Sequence, residues 1–121
     1  MKLTSMFATA RQILEEEKES LFIKFQQNNR PSGLSYIKAH CVDYLFEAMK
    51  DNILANPEDD KVVVKSIEAN IIDYDDSNGT KIASVHYTCV ISTNGQEDDI
   101  DEFWHFKYTG WNWHLTGIEQ V

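Results

Sequence analysis

The sequence predicts an α+β fold: two N-terminal helices packed on one face of an antiparallel four-stranded meander. Three observations predict it. Apolar residues recur at helical spacing in the first half of the chain, and beyond Pro57 the pattern becomes β-branched, aromatic and alternating. The alternating half is punctuated by Asn78-Gly79, Asn94-Gly95 and Thr109-Gly110, residue types that tolerate the positive φ of tight hairpins. With 121 residues, 42% of them hydrophobic and 12% aromatic, the chain suits one domain spanning 1–121 with its own core.

Each element has its own signal. Over residues 3–25, Leu3, Met6, Phe7, Ala10, Ile13, Leu14, Leu21, Phe22 and Phe25 fall near one helical face, and the acidic middle from Glu15 to Glu19 reads as a solvated face. Asn28-Asn29-Arg30-Pro31-Ser32-Gly33 breaks this helix, with Ser32 or Ser35 placed to cap a second one running to about Leu54. Leu34, Ile37, Cys41, Tyr44, Leu45 and Ala48 form one stripe of that helix. Val42, Phe46, Met49 and Ile53 form another, so it should be clamped between the first helix and the sheet. Asn56-Pro57 ends it.

Residues 61–74, 81–92, 99–108 and 111–121 read as strands. In the last pair, Ile100, Trp104, Phe106 and Tyr108 alternate with Asp101, His105 and Lys107, while Trp111, Trp113 and Leu115 alternate with Asn112, His114 and Thr116. One face is therefore aromatic and the other polar, as expected where helices cover a single face.

The net charge of −9 opposes nucleic-acid phosphates and anionic lipids, so neither nucleic-acid binding nor membrane contact is expected. The imbalance is local. Residues 1–55 carry seven acidic and seven basic side chains, whereas residues 56–121 carry thirteen and four, so the whole excess belongs to the sheet half. In a meander the first and third turns share one end. The Asp73, Asp75 and Asp76 group should therefore lie opposite Glu97, Asp98, Asp99, Asp101 and Glu102, whose end is shared by Glu58, Asp59 and Asp60. Those last eight carboxylates form the strongest local field the chain can build and are the candidate partner-binding residues.

Other chemistry is weakly signalled. Cys41 and Cys89 have neither Cys-x-x-Cys spacing nor a zinc pattern and read as reduced thiols; His40 beside Cys41 lacks evident partners. Phe7, Ala8, Thr9 and Ala10 have the residue types of a secretory cleavage site, but hydroxyl residues interrupt the preceding stretch, so it reads as a helix start in a cytosolic chain. An EF-hand alignment around Gly79 places Tyr74 first and Val85 at the bidentate position, which does not make a calcium loop. No cofactor, metal or catalytic set is assigned.

Glu102-Phe103-Trp104-His105-Phe106, followed by a turn and Trp113-His114-Leu115-Thr116-Gly117-Ile118-Glu119, resembles the paired closing strands of Tim-forty-four-like domains. These belong to the cone-shaped nuclear-transport-factor-two-like superfamily. With the helix over 34–54 and the run over 61–91, about two-thirds of the chain takes part. The resemblance implies a curved sheet and a non-catalytic domain that docks proteins or membranes through its helical face and concave sheet. Enzymes of the superfamily, such as ketosteroid isomerases, use an Asp or His inside the cone as a proton shuttle. His86, His105 and His114 are the candidates here, although the alternation puts His105 and His114 on the polar face. Phe103, Trp104, Phe106, Tyr108, Trp111 and Trp113 would line such a cavity or fill it.

The expected function is a non-enzymatic, cytoplasmic, acidic protein-binding domain: an inhibitor or immunity protein that neutralises a basic partner such as a toxin. The alternatives are a Tim-forty-four-type translocation scaffold and a ketosteroid-isomerase-like enzyme. The outward sheet face, with Lys107 and His114, offers a surface for homodimerisation.

Overall fold

Helix α1 spans Ala10–Gln27 in a computed structural model that describes residues 8–110 and 112–121. Thr9 starts it with a reciprocal cap: its hydroxyl accepts from the Gln12 N–H, and the Gln12 side chain accepts from the Thr9 N–H. The expected earlier start at Leu3, and the cleavage-site reading with it, fall largely on residues 1–7, outside the described residues. Ala10, Leu14, Leu21, Phe22 and Phe25 form the buried stripe. The acidic middle is not wholly a solvated face, because Lys18 is turned inward, buried, and paired with Glu15.

A 3-10 turn, Pro31–Gly33, leads into α2, Leu34–His40. Neither Ser32 nor Ser35 caps this helix; its N-cap is Gly33, and the Ser32 N–H is held by Glu58 Oε1 at 2.6 Å. The single second helix expected to reach Leu54 is in fact two. Cys41 is extended (φ −136, ψ 161) and bridges Leu115, and the Val42 N–H donates to the Leu115 carbonyl at 2.9 Å before α3, Asp43–Ala55, begins. The sheet edge recruits the backbone at this point, and the break resets the helical phase. Ile37, Cys41, Phe46 and Ile53 are buried, while Tyr44 and Ala48 from the expected apolar stripes face outward.

Four strands follow: β1 Val62–Asp75, β2 Lys81–Thr93, β3 Gln96–Thr109 and β4 Asn112–Gln120. They form one antiparallel sheet in the order β1-β2-β3-β4, a meander, as the three turn signals predict. Asn94 (φ 53) and Gly95 (φ 87) make the two-residue turn that joins β2 to β3, both in the left-handed region that Asn and Gly enter most readily. The start of β3 at Gln96, rather than at 99, places Glu97 and Asp98 within a strand.

Irregularities bend the sheet. The register slips between Val64 and Ser66 and between Ile71 and Asp73, and again opposite His105 and Phe106. At each slip in β1 an extra residue, Lys65 or Ile72, joins its neighbour on the outer surface and increases the local twist. Val62, Val64, Ile67, Ile71 and Tyr74 consequently all pack on the core.

The helices cover the inner face. Ala83, Val85, Tyr87, Cys89 and Ile91 of β2 are buried there with Trp104 and Phe106 of β3 and Trp113 and Leu115 of β4, so the predicted aromatic face is the core face. Two hydrogen bonds tie α1 to it: the Trp113 indole N–H donates to the Ala10 carbonyl at 2.8 Å, and the Tyr87 hydroxyl donates to the Lys18 carbonyl at 2.6 Å. Burial pushes the Tyr87 hydroxyl well above its ordinary value. Tyr87→Phe should lower stability by about 1 kcal/mol, measured by urea unfolding with an unchanged m-value. A loss above about 3 kcal/mol would show that the hydroxyl does more than pin the helix.

Candidate functional site

β3 extends beyond its neighbour. β4 pairs with β3 only from Glu102 to Thr109, and among the described residues no strand pairs with the other side of residues 96–101. The Val121 N–H donates to the Asp101 carbonyl, which fixes the direction of that carbonyl. By the strand's period of two, the backbone groups of Asp99 and Glu97 point to the same open edge. The acidic run therefore occupies an unpaired strand edge, where charge discourages edge-to-edge association.

The Glu58, Asp59 and Asp60 group shares this end of the sheet. The Asn94 side-chain amide donates to Asp60 at 2.9 Å and its oxygen accepts the Lys61 N–H at 2.7 Å, which joins the entry to β1 with the β2–β3 turn. Asp75, by contrast, sits at the β1–β2 turn, where the Ser77 hydroxyl and N–H hold its carboxyl below the usual range.

The eight predicted residues are not equivalent. Glu58 is committed to Ser32, with its carbonyl accepting from Arg30 at 2.9 Å, and Asp60 is committed to Asn94. Glu97 pairs with Lys65 at 2.7 Å, and Asp101 with His86 Nε2 at 2.6 Å. Glu102 lies on the inner side, where it accepts from the Trp104 indole N–H at 3.1 Å and from Gln120. Asp59, Asp98 and Asp99 are exposed, with no hydrogen-bond or ion-pair partner among the described residues.

The pleat divides the run further. Asp98 and Glu102 oppose the buried residues Ile91 and Tyr87, whereas Glu97, Asp99 and Asp101 oppose Ser92, Val90 and Thr88 on the outer surface. There a groove of about 410 Å³ crosses β1, β2 and β3. The backbone of Ile67, Cys89 and Ile100 forms its floor; Ser66, Val90 and Asp99 stand on one side, and Glu68, Thr88 and Asp101 on the other. Glu68 is a contributor that sequence reasoning did not single out. Only the β1–β2 register, displaced by the bulge at Lys65, reveals it. Small side chains leave the groove open and three carboxylates line it, which suits a Lys or Arg side chain approaching from solvent.

The histidines also lie outside the core. His105 Nδ1 is 2.7 Å from Ser84 Oγ, and its Nε2 contacts Glu119. This Ser–His–Glu chain was likewise not legible from spacing. Ser84 is mid-strand between β1 and β3 partners, so the surrounding N–H groups belong to ladders rather than to an oxyanion hole. His86 lies against Phe103, ring centroids 5.1 Å apart, which takes Phe103 out of the expected cavity lining. Trp111 lies outside the described residues. A partly open pocket beside Trp104, lined by residues including Phe25, Ile37, Met49 and Ile118, holds about 60 Å³, far below the roughly 300–1,000 Å³ of small-molecule pockets.

Both cysteines are buried and free. Burial, then Asp43, pushes the Cys41 thiol up to about 11; burial, then Glu102, raises Cys89. Both are protonated at neutral pH and poor nucleophiles. Among the described residues no group of three or more His, Cys, Asp or Glu has the arrangement of a metal site, and no helix is long and apolar enough to cross a membrane.

Fold and site together define an α+β domain with helices on one face of a four-stranded meander and an acidic open edge on its third strand. No family model and no curated protein matches the chain. Among solved structures it is similar to the solution structure of TraH, a proposed transfer protein from the Gram-positive conjugative plasmid pIP501. The TM-score is 0.54 at 11% identity, covering 88% of this chain and 92% of that one, so the likeness is one of fold.

Proposed function

We propose that this is a non-enzymatic, acidic protein-binding domain of the nuclear-transport-factor-two-like type. It engages a basic partner at the acidic end of the sheet, as an inhibitor or immunity protein neutralising a toxin in the cytoplasm would. The observation that carries the reading is the open edge of β3. Unpaired backbone at Glu97 and Asp99 adjoins the groove bounded by Glu68, Asp99 and Asp101, and the carboxylates of Asp59, Asp98 and Asp99 have no hydrogen-bond or ion-pair partner among the described residues. An extended basic segment would gain main-chain hydrogen bonds from the edge and charge-assisted bonds from the groove. The surplus negative field would speed its approach.

The test is a pull-down from the source lysate at low and high salt, followed by titration of the retained partner against Asp98→Lys/Asp99→Lys/Asp101→Lys. A basic protein should be held at low salt, weakened at high salt, and bound on the order of a hundredfold less tightly by the triple variant. Equal binding by a folded triple variant sinks the reading.

A second reading, a scaffold for macromolecular transfer at a membrane, draws support from the resemblance to Tim-forty-four-like closing strands and from the fold shared with TraH, itself a proposed transfer protein. It expects flotation with anionic liposomes and capture of translocation components from membrane extracts. A clean negative in both removes it.

A further inference from the structure

A second concavity lies away from the acidic edge, between α1, α2 and the start of β4. Glu17, Ser20, Leu21 and Lys24 recur at i, i+3, i+4 and i+7, which places them on one face of α1. Tyr36 and His40, four apart on α2, face them, and Asn112 completes a cleft of about 210 Å³. Leu21 is buried and supplies its apolar wall.

The Tyr36 and His40 rings stack with centroids 4.0 Å apart and planes 20° from parallel. His40 Nδ1 is 2.8 Å from the Tyr36 carbonyl. A carbonyl only accepts, so Nδ1 carries the hydrogen, and in the neutral ring Nε2 holds the lone pair. Asn112 Oδ1 accepts the Trp113 N–H at 3.0 Å, which leaves its NH₂ group available.

Opposite charges flank the cleft without meeting. No ion pair among the described residues joins Lys24 to Glu17, whose positions are two helical turns, about 10.5 Å, apart. The Glu17 carboxyl, the Ser20 and Tyr36 hydroxyls and the Lys24 ammonium have no hydrogen-bond partner among the described residues. Their fields nevertheless overlap. Desolvation, then Glu16, raises the Glu17 carboxyl against the pull of Lys24 and His40, and burial, then Glu17, pushes Tyr36 up to about 12.

We propose that this cleft binds a short zwitterion of dipeptide size, its ammonium on Glu17, its carboxylate on Lys24, and its backbone between Leu21 and the Tyr36–His40 stack. The two-turn spacing of the charges favours a dipeptide over a single α-amino acid, whose charges are too close together to reach both.

The test is backbone-amide NMR titration of the intact chain with diglycine, with glycine, and with the blocked forms N-acetyldiglycine and diglycinamide. Diglycine should shift signals in α1, α2 and at Asn112 and saturate by about 10 mM. Each blocked form and glycine should bind about tenfold less tightly. Lys24→Gln should erase the difference between diglycine and diglycinamide, and Glu17→Gln the difference between diglycine and N-acetyldiglycine. No saturable shift, equal affinity for all four probes, or variants that leave both differences intact would overturn the proposal. Because both substitutions lie away from β3, these outcomes are independent of the basic-partner reading.

Discussion

Replacing Trp104 with alanine is expected to remove about 3–5 kcal/mol of stability, a large share of the roughly 5–15 kcal/mol typical of a domain. Trp104 is 2% exposed and is the hub of the aromatic core. Its ring centroid lies 4.8 Å from Phe22 and 5.4 Å from each of Phe25 and Tyr87. It thus joins two turns of α1 to β2 and β3, and neighbours fixed in two layers cannot collapse into the space it would leave. Its N–H also anchors Glu102, so truncation loosens the acidic strand from within. Urea unfolding should show the loss with the m-value retained, and Trp104→Phe should lose less because a ring is kept. A cost for Trp104→Ala below about 1.5 kcal/mol would mean that the helices are not held through this residue.

Much of this core was legible in advance. The alternation around Trp104, Phe106, Trp113 and Leu115 identified the inner face, and Asn94-Gly95 located a turn, because a pleated strand and a positive-φ turn are local properties. The break between α2 and α3 was not legible. Ala39, His40, Cys41 and Val42 contain no glycine or proline, and the helix stops because Leu115, more than seventy residues away, bonds the backbone at Cys41 and Val42. A tertiary contact overrides a continuous helical pattern there.

The candidate site was legible as charge and only partly as geometry. Meander topology correctly brings Asp60 to the end of the sheet that carries Glu97, and the Asn94 bridge is the physical reason. The strand expected over 99–108 leaves Glu97 and Asp98 outside it; pairing with Ser92 and Ile91 of β2 draws both into the strand. That five of the eight carboxylates already hold partners depends on Lys65, His86, Asn94, Ser32 and Trp104, whose positions only the register and the packed core determine. What remains for a partner is a smaller set, Asp59, Asp98 and Asp99, together with the carboxylate of Asp101 shared with His86.

Gly33→Ala is expected to destabilise the fold by at least about 3 kcal/mol, lowering the melting midpoint by about 10 °C. Its backbone angles, φ −94 and ψ 2, are open to any residue, so the requirement is one of space rather than conformation. A Cβ at Gly33 would lie 2.2 Å from the Asn28 carbonyl oxygen and 2.5 Å from the Asn28 Cα. These are backbone atoms at the end of α1, where the Asn28 N–H is already bonded to the Lys24 carbonyl and the Asn28 carbonyl to the Arg30 N–H. Neither side can yield by a side-chain rotation, so the substitution must push α1 from α2. The displacement would reach the acidic end, since Arg30 and Ser32 in the same turn hold Glu58. It would also widen the cleft between Glu17 and His40. Thermal unfolding followed by circular dichroism gives the stability loss, and amide NMR should show changes spreading from residues 28–36 to Glu58 and Asp60. A variant as stable as the parent would mean that α1 and α2 do not approach as closely as Gly33 implies.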